Sequence, residues 1–210
     1  MPLKDLSVAL DQASIPADVA SFIREAERRI EEFQRSCRVP GFIPCDFTLA
    51  YRFLRAVSAA ELTRGRLFCE WGSGFGVVAC LASLLDFDAI GIEIEAELVD
   101  EAARLADAFG LPVEFMEGSY LPKGCELGAQ LGTGSSWLKT EECDAGAEFG
   151  LEPCDFDVIF AYPWPEDEDA TAKLFERHAR RGAVFASYHG GDDFRLKRKV
   201  DGRKKTSRAP

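Results

Sequence analysis

Glu70-Trp-Gly72-Ser-Gly74-Phe-Gly76 places an acid and three alternating glycines within seven residues, directly after the apolar run Leu67-Phe68-Cys69. Glycines in such a turn let backbone approach a ligand with no Cβ in the way. A helix that follows offers free N–H groups and positive potential to an anionic group. A second acid, Glu93, stands 21 residues after Gly72 and closes the run Ala89-Ile-Gly-Ile92. At the end of a second strand, that carboxylate meets the two hydroxyls of a ribose. Together the three parts suit adenosine with a charged appendage.

Spacing narrows the choice of appendage. The dinucleotide fingerprint is G-x-G-x-x-G/A, its last small residue packing helix on strand. Here the third glycine comes one place early, and Val77 fills the last position. Glu70 ahead of the loop adds nothing to pyrophosphate recognition, because like charges repel. A ligand with an ammonium and a sulfonium tolerates it. The motif therefore favours S-adenosylmethionine over NAD.

The elements around the motif follow from periodicity. Val19, Phe22, Ile23, Ala26, Ile30 and Phe33 form one helical stripe over 16–36, and a second helix follows Asp46, with Leu49, Phe53, Leu54 and Val57 on one side. The first sixty residues read as a helical layer. Beyond Arg66 come a strand at Leu67–Cys69, a helix at Val77–Leu85 and a strand at Ala89–Ile92. A helix about Glu97–Phe109 and a strand at Val113–Met116 continue the alternation. After a Gly-rich stretch, Asp157–Ala161 is a strand. A helix with acids in its first turn (166–169) and Arg177, His178, Arg180 and Arg181 in its last leads to a strand at Ala183–Tyr188. This rhythm predicts a doubly wound, mostly parallel α/β sheet. The expected division is a helical layer over 1–60, a cofactor-binding α/β domain over 61–194 and a basic, flexible tail over 195–210. Within the domain, 123–153 is an insertion or lid. Phe194, Leu196 and Val200 suggest one more strand, with little apolar sequence left for a partner, so the C-terminal end is shortened.

Composition bounds the rest. The 210 residues, 47% hydrophobic, suffice for one core. No apolar run approaches the ~20 residues of a bilayer span, and no membrane partner is expected. Net charge is −11, unevenly spread: residues 195–210 hold eight Lys/Arg against one Asp, leaving 17 basic and 35 acidic residues elsewhere. So acidic a body repels a nucleic-acid backbone. Seven cysteines without regular spacing point to free thiols in a reducing cytoplasm rather than to a disulfide framework. No C-x-x-C pair suggests zinc, and no metal is expected.

Glu70, Gly72, Gly74 and Gly76, with Glu93 closing the next strand, resemble the first motif and second-strand acid of class I S-adenosylmethionine-dependent methyltransferases. The resemblance covers roughly residues 40–190. It implies a Rossmann-like seven-stranded sheet ending in an antiparallel hairpin, and a cofactor site of Glu70, Trp71, Gly72, Ser73, Gly74, Gly76, Glu93, Ile94 and Ser119. Ser119 takes the place of an acid often found beside the adenine. Phe42-Ile-Pro44, Gly72-Ser-Gly74 and Gly91-x-Glu93 are also similar to protein-lysine branches outside the SET fold, a likeness that assigns no substrate. Ala161-Tyr162-Pro163-Trp164 resembles the Asp/Asn-Pro-Pro-aromatic motif of amino-methylating members, with Ala161 and Tyr162 as departures.

Methyl transfer asks mainly for alignment and exclusion of water. Tyr162 and Trp164 are candidates for an aromatic wall around substrate or sulfonium, and His189, just past a strand, for a general base. The expected activity is methyl transfer to a small-molecule or protein acceptor. The alternatives are a catalytically silent S-adenosylmethionine-binding module that engages a partner protein and, behind it, an NAD-dependent oxidoreductase.

Overall fold

The computed structural model describes residues 2–10, 12–122 and 150–201. Two amphipathic helices open the helical layer. Helix α1 (Ala17–Ser36) buries Val19, Phe22, Ile23, Ala26 and Ile30, the stripe its spacing predicts. Helix α2 (Phe47–Ala59) starts where the Asp46 side chain accepts the Leu49 N–H at 2.8 Å, satisfying one of the orphan donors of a first turn.

The sheet begins before them. Leu3–Leu6 form strand β1. Strands β2 (Leu67–Trp71), β3 (Asp88–Glu93) and β4 (Glu114–Glu117) alternate with helices α3 (Val77–Ser83) and α4 (Ala96–Ala108). Strand β5 (Val158–Ala161), a 3-10 turn (Pro165–Asp167), helix α5 (Glu168–His178), β6 (Val184–Tyr188) and β7 (Phe194–Lys199) complete the order. The sheet runs β1-β7-β6-β5-β2-β3-β4. Neighbours from β6 through β4 are parallel, while β7 is antiparallel to both β6 and β1.

The doubly wound sheet is thus present, with three differences from expectation. Leu3–Leu6 is a strand rather than part of a helical layer. It fills the outer place beyond β7, so the seventh strand comes from the N-terminus while, among the described residues, one follows Tyr188. Four residues carry no readable period, and their partners at 196–199 are remote in sequence. Second, β7 runs through Lys199, five residues into the expected tail. Leu196 and Lys199 are buried, and the Lys199 ammonium donates to the carbonyls of Arg177 and Ala179 at the end of α5. Third, the acidic turn at 165–167 is 3-10 and α5 ends at His178, leaving Arg180 and Arg181 beyond it. Arg180 pairs with buried Asp157 at the start of β5. Most of the expected insertion, residues 123–149, lies outside the described residues.

Helices α1 to α4 cover one face of the sheet, their apolar residues merging with Phe68, Val158, Phe160 and Val184. On the other face Leu174 and Phe175 of α5 pack on Cys69, Trp71, Ile159 and Phe185. Burial of about 1.5–3 kcal/mol per large apolar side chain holds each face down. Strand order reverses beside β2, with β3 on one side and β5 on the other, and an open sheet of this kind binds ligands at the C-terminal ends of its strands there.

Candidate functional site

A crevice of about 180 Å³ opens at that point. Its floor is the turn between β2 and α3. The N–H groups of Gly72 and Ser73 both donate to the Ile92 carbonyl at 2.9 Å, locking the end of β2 to the end of β3. Gly72, Gly74 and Gly76 all have positive φ, between 53° and 70°. At Gly74 a Cβ would come within 2.7 Å of the Phe42 ring. At Gly76 it would meet the Phe115 ring at 2.2 Å and the Ala102 Cβ at 2.8 Å. Two of the glycines therefore answer both to backbone angle and to close packing.

Two buried carboxylates frame the turn. Glu93 Oε2 accepts the Gly74 N–H at 2.7 Å, and Oε1 accepts those of Ile94 and Glu95 at 2.7 and 3.1 Å. Glu70 accepts the Ala79 N–H in the first turn of α3 at 2.8 Å. Burial pushes the Glu70 carboxyl well above its usual value, and repulsion from Glu93 adds to it. Burial likewise raises Glu93. Among the described residues no cation contributes to the shift of either acid.

Of the residues singled out from sequence, Glu70, Trp71, Gly72, Ser73, Gly74, Glu93, Ile94, Ser119, Tyr162 and Trp164 all line the crevice. Gly76 lies beneath it as the N-cap of α3. His189 is not on its wall. Its Nδ1 pairs with Glu168 Oε1 at 2.7 Å and its Nε2 with Ser187 Oγ at 2.8 Å. Against the pull of burial, hydrogen bonds from His189 and Arg195 hold the Glu168 carboxyl below its usual value. The Ser–His–Glu order matches a nucleophile relay, but Ser187 is 3% exposed inside β6. The geometry is that of a tie between the β6–β7 hairpin and α5. Ser119 spends its hydroxyl on the Leu121 N–H at 3.1 Å.

Sequence reasoning missed several wall residues. Tyr120 stacks on Trp71 with ring centroids 5.1 Å apart and planes 6° from parallel. Asp167 and Thr171, at the start of α5, are buried on the same wall. From the other side Phe42, Ile43, Pro44 and Cys45 close over the turn, Phe42 stacking on Phe75 at 5.8 Å. The break Val39–Pro44 between two helices was the available signal for this cover. Nothing local marked Asp167 among its acidic neighbours.

The charge of the wall is one-sided. It carries four acids, Glu70, Glu93, Glu95 and Asp167, and among the described residues that line it there is no Lys, Arg or His. Ser73 Oγ is buried there without a hydrogen-bond partner among the described residues. Among the described residues no cluster of His, Cys, Asp and Glu is placed to hold a metal ion. No described helix is long and apolar enough to cross a membrane.

No protein-family model matches the chain, and no curated protein matches it. Solved structures do. An RNA methyltransferase from Salinibacter ruber, in complex with S-adenosyl-L-homocysteine, is 16% identical with a TM-score of 0.53, over 78% of this chain and 97% of that one. A methyltransferase from Geobacter sulfurreducens is 15% identical with a TM-score of 0.54, over 90% and 93%. An O-methyltransferase from Bacillus cereus, in complex with the same ligand, is 14% identical with a TM-score of 0.52, over 84% and 67%. With its strand order and its glycine turn at the reversal point, the chain has the Rossmann-like α/β fold of the class I methyltransferases.

Proposed function

We propose that the crevice binds S-adenosylmethionine and that the protein is a methyltransferase. The observation that carries this reading is the charge of the wall. Four acidic side chains, with no cation among the described residues that line the crevice, disfavour a pyrophosphate and suit a ligand that brings an ammonium and a sulfonium. The residues fit such a ligand. Ser73 Oγ is buried without a partner among the described residues, and a buried hydroxyl left unpaired costs about 1–3 kcal/mol. The turn from Gly72 to Gly74 keeps the floor open: a Cβ on Gly72 would meet nothing within 4 Å. The bound complexes of two structural neighbours are consistent with it.

In this reading Glu93 and Ile94 hold the sugar, and Glu70, Trp71, Gly72, Ser73 and Gly74 hold the aminoacyl arm. Gly76 lets α3 start close beneath, and Ser119 lies on the adenine side. When bound, the cofactor supplies an electrophilic methyl group on a sulfonium that leaves readily. The chain's own residues align the acceptor and exclude water. Phe42 and Ile43 cover one side of the crevice, Tyr162 and Trp164 the other. A nearby general base is not required for this work, in keeping with His189 standing off the wall. The acceptor is a protein side chain or a small molecule, and the acidic wall disfavours nucleic acid. The free thiols of Cys37, Cys45, Cys69, Cys80 and Cys154 suit a cytoplasmic setting.

A non-catalytic cofactor-binding module is the second reading, favoured by Ala161 and Tyr162 where amino-methylating proteins carry a polar group and a proline. The test is incubation with methyl-labelled S-adenosylmethionine and fractionated cell extract. Release of S-adenosylhomocysteine with label on an acceptor supports the enzyme. Binding without release in any fraction supports the module.

A further inference from the structure

We propose that the mouth of the crevice takes a small aromatic acceptor that carries no negative charge, an inference that rests on the methyltransferase reading. Among the described residues three large apolar side chains are exposed: Ile43 at 52%, Tyr162 at 38% and Phe109 at 37%. Ile43 and Tyr162 both line the crevice. Phe109 caps the end of α4, edge-on to Phe22 at 5.0 Å, and is not on its wall. The two segments that present Ile43 and Tyr162, residues 39–45 and 161–164, contain no charged residue in a chain that is 29% charged. Apolar side chains left in water beside a cleft mark what the cleft receives.

Both segments are stiff and braced from behind. Pro40 and Pro44 bracket the first, and Pro163 follows Tyr162 in the second, each fixing its own φ. The Tyr162 ring leans on Tyr188 at 4.7 Å, Tyr188 leans on Phe194 at 4.7 Å, and Phe194 stacks on Phe53 of α2 at 4.6 Å. The Tyr188 hydroxyl donates to the Gly191 carbonyl at 3.2 Å. In the other segment Phe42 stacks on Phe75, which meets Phe33 edge-on at 5.4 Å. Side chains held in place this way lose little freedom when a ligand arrives. A ring laid against Tyr162 gains a ring–ring attraction that a saturated body of equal area lacks. Four acidic side chains on the same wall disfavour a carboxylate or phosphate on that ring. The patch also limits size. A folded protein partner needs about 800 Å² on each side, whereas two side chains on two short segments seat a single ring.

The test is calorimetry on the full chain, first with S-adenosylhomocysteine and then, at saturation, with four probes. These are 4-ethylphenol, 4-ethylcyclohexanol, 4-hydroxybenzoate and N-acetyl-tyrosinamide. The expected result is binding of 4-ethylphenol about three- to tenfold tighter than 4-ethylcyclohexanol, with 4-hydroxybenzoate weaker than either. Tyr162→Leu, which keeps apolar bulk and removes the ring, abolishes the preference for the phenol, and Ile43→Ser weakens binding of both uncharged probes. Equal binding of phenol and cyclohexanol, 4-hydroxybenzoate binding as tightly as 4-ethylphenol, or no phenol binding at millimolar concentration overturns the proposal. An unchanged preference in Tyr162→Leu does the same. So does N-acetyl-tyrosinamide binding more tightly than 4-ethylphenol, which identifies a protein side chain as the acceptor. The comparison of probes uses the wild-type chain, so it holds even where a variant fails to fold. Failure of S-adenosylhomocysteine to bind would instead remove the methyltransferase reading beneath it.

Discussion

The Glu93 carboxylate and the Gly74 backbone N–H, nineteen residues apart in the chain, are joined by a hydrogen bond of 2.7 Å. The acid expected to hold a sugar thus also holds the glycine turn in shape. Its two oxygens offer about four acceptor positions, and three amides use part of that capacity. Glu93→Ala should weaken S-adenosylhomocysteine binding by about 10–100-fold, the worth of one or two charge-assisted hydrogen bonds. Glu93→Gln should lose less. Calorimetry reads both, and unchanged affinity in the alanine variant would take Glu93 out of the site.

Gly74 faces Phe42 closely enough that the two positions should be coupled. Gly74→Ala places a Cβ 2.7 Å from the ring at a φ of 53°, and the strain should cost about 1–3 kcal/mol. Combining it with Phe42→Ala should recover the steric part and leave the backbone part. Urea melts of the two single variants and the double give the coupling. Strict additivity would mean that Phe42 does not press on the turn.

Glu70 gives the ligand-free protein an unusual pH dependence. Burial holds its folded carboxyl above the usual 4.5 against the lowering hydrogen bond from the Ala79 N–H, and repulsion from Glu93 adds to the rise. Above pH 4.5, until the buried carboxyl ionises, the folded state binds more protons than the unfolded one, so stability falls as pH rises. Glu168 and Asp193, held below their usual values, act at lower pH. Glu93, raised by burial, and His178, lowered from 6.5 by burial, titrate in the same pH range, so only the difference from Glu70→Gln reports Glu70. The melting temperature of the wild type should therefore fall more steeply from pH 5 to 8 than that of Glu70→Gln. Parallel curves would show that Glu70 ionises normally.

Much of the centre was legible because its signals are local. Alternating glycines after an apolar run, and an acid at the next strand's end, predict a turn and its partner without distant information. The cover of Phe42 over Gly74, the stacking of Tyr120 on Trp71 and the pairing of Leu3–Leu6 with β7 depend on residues far apart in the chain, so no window of sequence reports them. Asp167 shows the same limit. Four successive acids read as a helix start, and only the fold decides that the second of them turns inward.

His189 is the position where expectation and structure part most clearly. With Nε2 on Ser187 and Nδ1 on Glu168, His189→Gln should cost about 1–3 kcal/mol in stability and leave S-adenosylhomocysteine affinity within twofold. A large loss of turnover with unchanged stability would restore it as a base.

The central claim is that the crevice beside β2 takes a cationic sulfonium nucleoside. Calorimetric titration of the full chain with S-adenosylmethionine, S-adenosylhomocysteine and NAD tests it most directly. The account predicts dissociation constants on the order of micromolar, about −8 kcal/mol, for the first two, loss of both on Gly74→Arg, and no measurable heat from NAD. Tight NAD binding, or no binding of either adenosyl ligand, would contradict it.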